Sequence, residues 1–378
     1  MEDGDHQHPY QPVTVKGWCN AGQGQYTPKL PERVGMTYAP NYGPGFELGA
    51  ATPYPQPEAY VAEFDNVSVV GGQGFVLADT VALFDPLFGP RAFRYSFVNS
   101  VVTTATPDLF VPTTKMASQV IPEGVLVQSW FGMNYHHWLV EHLSKTMFLD
   151  DIPASVPLLI DERILVTPQL LEALAVVDKH ARPYIPLQYG YEYKVEHLVL
   201  PSNLFGTGPD LQWGLEVEIG DVTVDREGVE YIRQRVASPG HGSRLVYIDR
   251  IPLNAPIRLR NRDEVRAVFE EFGFEVVYPA SLSFQEQRDI FSQASVIAGE
   301  SGAAMTNVLL APESTVMICM QATHFPLQVY ADLCAYGGQR SIFLVGDTDP
   351  VYGPTYQASF TYPVDRLKGE LARILADI

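Results

Sequence analysis

The stretch Ala294–Thr315, ASVIAGESGAAMTNVLLAPEST, joins a short apolar strand, a glycine turn and a small-residue helix start without a gap. Ser295-Val296-Ile297-Ala298 has the character of a buried parallel strand, Gly299 to Gly302 that of a tight turn, and Ala303 to Leu310 that of a helix packed on the sheet. At such a helix start the first N–H groups have no intrahelical acceptor and the dipole presents its positive end. An anion, above all a phosphate or diphosphate, is the natural guest. The plain alternative is a βα turn whose small residues serve packing only.

The run Gly299-Glu300-Ser301-Gly302-Ala303 also approximates the G-x-S-x-G elbow that exposes the nucleophile of α/β-hydrolases. Chain order argues against it. In those enzymes an acid and then a histidine follow the serine, whereas here only His324 follows Ser301, with Glu313 and no aspartate between. A hydrolase using Ser301 stays as a minor alternative.

Outward from this stretch, strands and helices alternate. Glu227–Arg235 reads as a helix, Arg244–Ile248 as a strand, the segment from Asn261 as a helix, Phe274–Tyr278 as a strand, the segment from Ser283 as a helix, and Thr315–Met320 as a strand. That alternation implies a parallel sheet covered on both faces. Asn261-Arg-Asp-Glu264 and Ser283-Phe-Gln-Glu286 have the spacing of capping boxes. Val364–Ile378 carries leucine and isoleucine at helical spacing and should dock one apolar face. Upstream lies another α/β half: a helix over Asn134–Leu149, short strands at Val156–Ile160 and Ile164–Val166, a helix over Pro168–Asp178 and a strand over Tyr193–Leu200. From Glu63 to Val127, runs such as NVSVV and GVLVQSWF read as antiparallel strands, with Gly71, Gly72 and Gly74 as a hairpin turn. Residues 1–60 are rich in Pro, Gly and Tyr and predict an irregular extension. The expected domains are therefore 1–60, 61–215, 216–350 and a terminal segment 351–378.

With 378 residues, 46% hydrophobic, the chain can bury a sizeable core and is long enough for two domains. A formal charge of -19 and a pI near 4.8 exclude the basic footprint of nucleic-acid or anionic-lipid binding, so any phosphate site must be local. Cys19, Cys319 and Cys334 are too scattered for a disulfide framework or a thiolate zinc site, which fits a reducing compartment. The acidic, polar start MEDGDHQHPY lacks the features of a signal peptide, and no apolar run approaches a membrane span. A cytoplasmic protein is expected, with peripheral membrane association open and the oligomeric state unreadable.

Three constellations carry possible chemistry. In Asn134-Tyr-His-His137-Trp138-Leu-Val-Glu141, His137 and Glu141 stand one turn apart, a base and its orienting carboxylate, with Lys145 one turn further. If Asn134 caps the helix, His137 lies near its positive end, which favours the neutral imidazole. The alternative is a structural histidine beside a solvated Glu141. A metal held by His136, His137 and His142 is disfavoured, since adjacent histidines face different ways and no H-E-x-x-H spacing is present. Asp347-Thr-Asp349 resembles a metal-binding D-x-D, but two carboxylates in a turn beside a proline are more often just a turn. Finally, Arg250, Arg258, Arg260 and Arg262 cluster just beyond the strand Arg244–Ile248, at the end of a parallel sheet where ligands bind. Guanidinium groups suit phosphate oxygens, so this loop and the turn at Gly299–Gly302 could share one diphosphate.

Together NYHHWLVEHLSK, VEHLVLPSN, the Tyr247-Ile-Asp-Arg250 segment with Arg260-Asn261, and FEVVYPASLSFQEQRDIFSQASVIAGESGAAMTNVLLAPEST resemble glycosyltransferase family 61 over about Gly132 to Met320. The motifs occur in the family's order. The resemblance implies a GT-B architecture, two Rossmann-like domains facing a cleft, with the nucleotide-sugar site in 216–350. It implies inverting transfer of a hexosyl or pentosyl group from a nucleotide-sugar, commonly UDP-linked, to a hydroxyl of a glycan or surface-polymer acceptor, as in polysaccharide biosynthesis. Asn134, His137, Trp138 and Glu141 fall on its first motif, with Asn134 and Trp138 on the acceptor side or structural. Arg250, Arg258, Arg260, Ser301, Gly302, Ala303, Thr306 and Asn307 fall to the donor. Ser301 stands where the family usually has histidine and Asp249 where it usually has serine. Arg250, Arg260 and the helix start at Gly302–Ala304 would take the leaving-group charge in place of a metal, so no cofactor is expected. A noncatalytic carbohydrate-binding or assembly protein on the same fold is the competing class.

Overall fold

In the computed structural model the described residues are 5–42, 48–84, 100–129, 131–204, 223–237, 242–251, 258–322, 328–348 and 358–378. They divide into two units, Met1–Gly35 with Pro55–Asp210, and Met36–Tyr54 with Leu211–Ile378.

The first unit is built on one mixed sheet. Its strands are β1 (His6–Gln7), β2 (Gln11–Thr14), β3 (Gln25–Leu30), β6 (Ala59–Val70), β7 (Val76–Ala78), β8 (Val81–Phe84), β9 (Val102–Ala105), β10 (Phe110–Leu126), β11 (Leu158–Asp161), β12 (Tyr184–Leu187) and β13 (Tyr191–Pro201), while β4 (Arg33–Tyr38) and β5 (Ala51–Gln56) form a separate pair at the unit boundary. The order is β12-β11-β10-β13-β6-β7-β8-β2, with β1 and β9 added to β10 and β3 to β6. β12, β11, β10 and β13 are parallel neighbours, whereas β13, β6, β7 and β8 alternate in direction. The expected antiparallel region therefore exists, but β10 also serves as a parallel strand. The hairpin between β6 and β7 turns where Gly72 has φ 75°, a conformation that only glycine adopts cheaply.

The Pro/Gly/Tyr-rich start is more regular than its composition implies. Pro12 and Pro28 lie in β2 and β3, which are short and sit at sheet margins, where a missing N–H is tolerated. Ile164–Val166, expected as a strand, lies in a 3-10 turn over Glu162–Val166, because Asp161 accepts from the Arg163 amide and starts a helical turn instead.

In the second unit β14 (Arg244–Ile248), β15 (Glu275–Val277), β16 (Ala294–Glu300), β17 (Val316–Ala322) and β18 (Arg340–Thr348) are parallel in the order β15-β14-β16-β17-β18, with β19 (Phe360–Thr361) antiparallel at the end. Counted from the first strand this is the doubly wound order 2-1-3-4-5, whose direction of winding reverses between β14 and β16. The helices Arg262–Glu271, Phe284–Phe291 and Val329–Tyr336 connect the strands. A capping box forms at Ser283 and Glu286 as expected. None forms at Asn261: its amide is engaged by the Tyr362 backbone on both its oxygen and its nitrogen, so no side-chain cap remains for the helix. The terminal helix Val364–Ala376 buries Leu367, Leu371 and Ile374 against Phe360, Tyr362 and Val268, each such side chain contributing about 1.5–3 kcal/mol of burial.

The first unit differs from a second copy of this pattern. Helical segments link β10 to β11 and β11 to β12, but only residues 188–190 join β12 to β13. The doubly wound arrangement thus belongs, among the described residues, to the second unit.

Candidate active site

The carboxyl ends of β14 and β16 flank the point where the sheet reverses its winding, and the second unit gathers its charge there. β14 ends in Ile248 and is followed by Asp249-Arg250, while β16 runs into Ser301-Gly302. Arg258 Nε donates to Glu300 Oε1 at 2.7 Å, and Arg258 Nη2 donates to the Ser301 carbonyl. Arg250 Nη1 lies 3.7 Å from the same Glu300 oxygen, with Nη2 at 3.4 Å from the Ser301 carbonyl. Two guanidinium groups therefore share one carboxylate, leaving local positive charge at the turn. Burial, and then the neighbouring Arg258, lower the Arg250 pKa. Gly302 leaves room for the Arg250 guanidinium as it stands: a Cβ at this position would lie 1.8 Å from Arg250 Nη2 and 3.1 Å from Arg258 Nη2.

The helix after the turn, Ala303–Leu310, is 3-10 and has no side-chain cap. The Gly302 amide donates to the Tyr330 hydroxyl, whereas the amides of Ala303 and Ala304 meet no protein acceptor among the described residues. Thr306 and Asn307, expected as donor contacts, are fully buried. Arg260 is exposed, and its amide donates to the Phe360 carbonyl. Arg258, which sequence reading ranked only as a general donor contact, is the arginine beside Arg250 at the turn. Arg262 is spent elsewhere: its guanidinium holds buried Asp249 at 2.5 and 2.8 Å, with Arg266 at 3.5 Å from the same carboxylate. Asp249 is thus an anchor between β14 and the helix Arg262–Glu271. Tyr247 is core, stacked on Phe269 at 4.3 Å between centroids.

In the first unit, Asn134 caps the helical segment as expected, accepting from the His136 amide at 2.9 Å. The segment is not one regular helix: Tyr135–His137 is α, Trp138–His142 is π and Leu143–Phe148 is 3-10. Single π turns inside helices are frequent at functional sites, which makes this segment a candidate. His137 Nδ1 stands 2.7 Å from Glu141 Oε1. A carboxylate oxygen accepts, so Nδ1 is the donor of this bond, and in the neutral ring Nε2 is then the nitrogen that accepts. The ring of Phe131 stacks on His137 at 5.1 Å, and Phe131 itself has φ 68°, a strained value for a non-glycine residue. Trp138 is buried, donating from Nε1 to the Leu170 carbonyl at 2.8 Å, a structural role.

Residues 135–318 match the family model described as Glycosyltransferase 61. This region belongs to glycosyltransferase family 61. No curated protein matches the chain. The matched region holds both the His137–Glu141 pair and the Arg250, Arg258 and Ser301 cluster, and a glycosyltransferase acts on a sugar donor and an acceptor.

Within the family 61 region the hydrolase alternative finds no support. Ser301 is 2% exposed, lacks the positive φ of a strained nucleophile elbow, and its Oγ makes no hydrogen bond of ordinary geometry, lying beside the buried Cys319 thiol. His324 lies outside the described residues. The histidine metal alternative fares similarly: His136 is buried with its pKa lowered to about 3, His142 is buried with its Nδ1 accepting from the Ser129 amide at 3.0 Å, and among the described residues no three candidate ligands gather. Asp347 is exposed on β18, and Asp349 lies outside the described residues. Two residues that the sequence gave no reason to single out stand beside the arginine turn. Gln321 on β17 donates from Nε2 to the Tyr42 hydroxyl at 3.0 Å, and Tyr330 meets Gly302. Their contacts depend on strand register and on a segment 279 residues away, which no local pattern encodes. No helix among the described residues is long and apolar enough to cross a membrane.

Proposed function

We propose that this family 61 glycosyltransferase moves a hexosyl or pentosyl group from a nucleoside-diphosphate sugar, UDP-linked, to a hydroxyl of a glycan or surface-polymer acceptor, with inversion and without a metal ion. The observation that carries the reading is the convergence of Arg250 and Arg258 on Ser301-Gly302 at the winding reversal of a doubly wound sheet. Ligands of such sheets bind outside the strand ends at that point, and a diphosphate matches paired guanidinium donors and uncapped amides.

In this mechanism the acceptor hydroxyl gives its proton to His137 Nε2 while its oxygen attacks the anomeric carbon, and the bond to the diphosphate oxygen breaks as the C–O bond forms. Glu141 holds the imidazole by its Nδ1–H and stabilises the imidazolium that results. The departing diphosphate gains negative charge, which Arg250, Arg258 and the amides of Ala303 and Ala304 stabilise. Two fixed cations supply what a divalent ion would otherwise provide. The three buried cysteines, none of them in a disulfide, accord with a reducing compartment, and we place the reaction in the cytoplasm.

A thermal-shift screen over nucleoside diphosphates and nucleotide sugars tests the reading, because a ligand bound only by the folded state raises the melting temperature. UDP and at least one UDP-sugar should stabilise the protein in the presence of EDTA. Binding of glycan with no response to any nucleotide would reject the donor site and favour a noncatalytic carbohydrate-binding protein.

A further inference from the structure

Beside the arginine turn lies a small recess at the carboxyl ends of β16 and β17, lined by Arg258, Glu300, Ser301, Gln321, Ala358 and Phe360. Two of these side chains are 2% exposed: Gln321 leaves its Oε1 unsatisfied, and Ser301 Oγ has no partner of ordinary hydrogen-bond geometry, only the buried Cys319 thiol beside it. Buried polar atoms without partners cost free energy, so a native site that keeps two of them together invites a ligand group. The Gln321 amide is oriented from behind. Its Nε2 donates to the Tyr42 hydroxyl, Tyr42 packs edge-on to Phe343 at 6.2 Å, and the Phe343 amide donates to the Asn41 carbonyl. With the nitrogen so engaged, the atom left over is the oxygen, a pure acceptor. Arg258 uses its Nε on Glu300 and Nη2 on the Ser301 carbonyl.

The chemistry of the missing group follows from this inventory. A diphosphate oxygen brings only acceptors and cannot satisfy Gln321 Oε1. A hydroxyl satisfies both orphans, donating to Gln321 Oε1 and accepting from Ser301 Oγ–H. The wall formed by Ala358 and Phe360 suits the C–H face of the ring that bears it.

We infer that the Ser301–Gln321 recess receives a hydroxyl of the donor, on its ribose or on its transferred sugar, and that Gln321 is a specificity residue for it. This rests on the nucleotide-sugar reading above and deepens it: the arginine turn takes the diphosphate and the neighbouring recess reads the sugar chemistry attached to it.

Isothermal titration of UDP, 2′-deoxy-UDP and a panel of UDP-hexoses and UDP-xylose into wild type, Gln321→Leu and Ser301→Ala tests this. Ser301→Ala removes a single oxygen and keeps the test alive if Gln321→Leu does not fold. A ribose occupant predicts that wild type prefers UDP over 2′-deoxy-UDP by about 5–150-fold and that the variants flatten this ratio. A sugar occupant predicts equal binding of those two, tighter binding of one UDP-sugar by a similar factor, and loss of that gain in the variants. If both ratios are unchanged in the variants while nucleotide binding persists, the recess holds only a structural water and the inference is overturned. If wild type binds none of these nucleotides, the nucleotide-sugar reading itself falls and this inference with it.

Discussion

Gly302→Ala separates donor binding from folding. The glycine has φ 162°, extended backbone open to any residue, so the added methyl imposes no torsional strain. Its Cβ would instead sit 1.8 Å from Arg250 Nη2 and 3.0 Å from Arg250 Cζ, the far end of a flexible side chain that is 35% exposed. Arg250 can swing into solvent, so the fold should lose less than about 1 kcal/mol, a melting shift of no more than about 4 °C. The donor loses more. A hydrogen bond to a charged group is worth about 1.5–3 kcal/mol, so displacing this guanidinium should weaken UDP binding by about 10–150-fold. Isothermal titration reads the affinity and differential scanning calorimetry the stability, on the same preparations. Unchanged UDP affinity in the variant would refute the placement of Arg250 in the donor site, and a large loss of stability would make the turn a structural element instead.

Other perturbations have expected outcomes of their own. Gly369→Ala, in the terminal helix with open space around the new methyl, should stabilise by about 0.5–1 kcal/mol through helix propensity and leave UDP binding unchanged, as a melting curve will report. His137→Ala should lower kcat by about 10²–10⁴-fold with little change in KM for the donor, and near-normal turnover would remove His137 as the base. Burial pushes the Asp332 carboxyl up from 3.8 to about 8, although it accepts from the Tyr38 amide at 2.6 Å and from the Thr37 hydroxyl. The folded state then keeps a proton that the unfolded chain releases, so stability from this group is full below about pH 4 and is lost as pH rises from there to about 8. Asp332→Asn, which is neutral throughout, should flatten that part of the slope in chemical denaturation between pH 5 and 8, and an unaltered slope would contradict the assignment.

The strand, turn and helix order around Ala294–Thr315 was legible because short apolar runs, glycine turns and helix caps are local signals, and Ser283 and Asn134 cap where their spacing places them. The convergence of arginines near the end of β14 was legible too, since the strand end and the charges are adjacent in sequence. Which arginine reaches the turn was not. Arg258 and Arg260 are two residues apart and both pair by backbone with Phe360, yet Arg258 is held by Glu300 and the Ser301 carbonyl while Arg260 is exposed, a difference set by partners 42 and 43 residues on. Asn261 failed to form its capping box for the same kind of reason, because Tyr362, 101 residues on, takes its amide. Residues 36–42 and 48–54 show the limit most clearly. Thr37 and Tyr38 bind Asp332, Tyr42 binds Gln321 and Tyr54 binds the Val224 carbonyl, so proline-rich sequence without helical or strand period is held by partners far along the chain. The π turn at Trp138–His142 was hidden as well, because a helical hydrophobic pattern does not distinguish one wide turn from a regular one.

Release of UDP from a UDP-sugar in excess EDTA, compared between wild type and Arg250→Ala, tests the central claim most directly. A metal-independent donor site built on the arginine turn predicts that wild-type release continues in EDTA and falls at least about 10-fold in the variant. Release that stops in EDTA and returns with Mn²⁺, or that proceeds equally in Arg250→Ala, would contradict it.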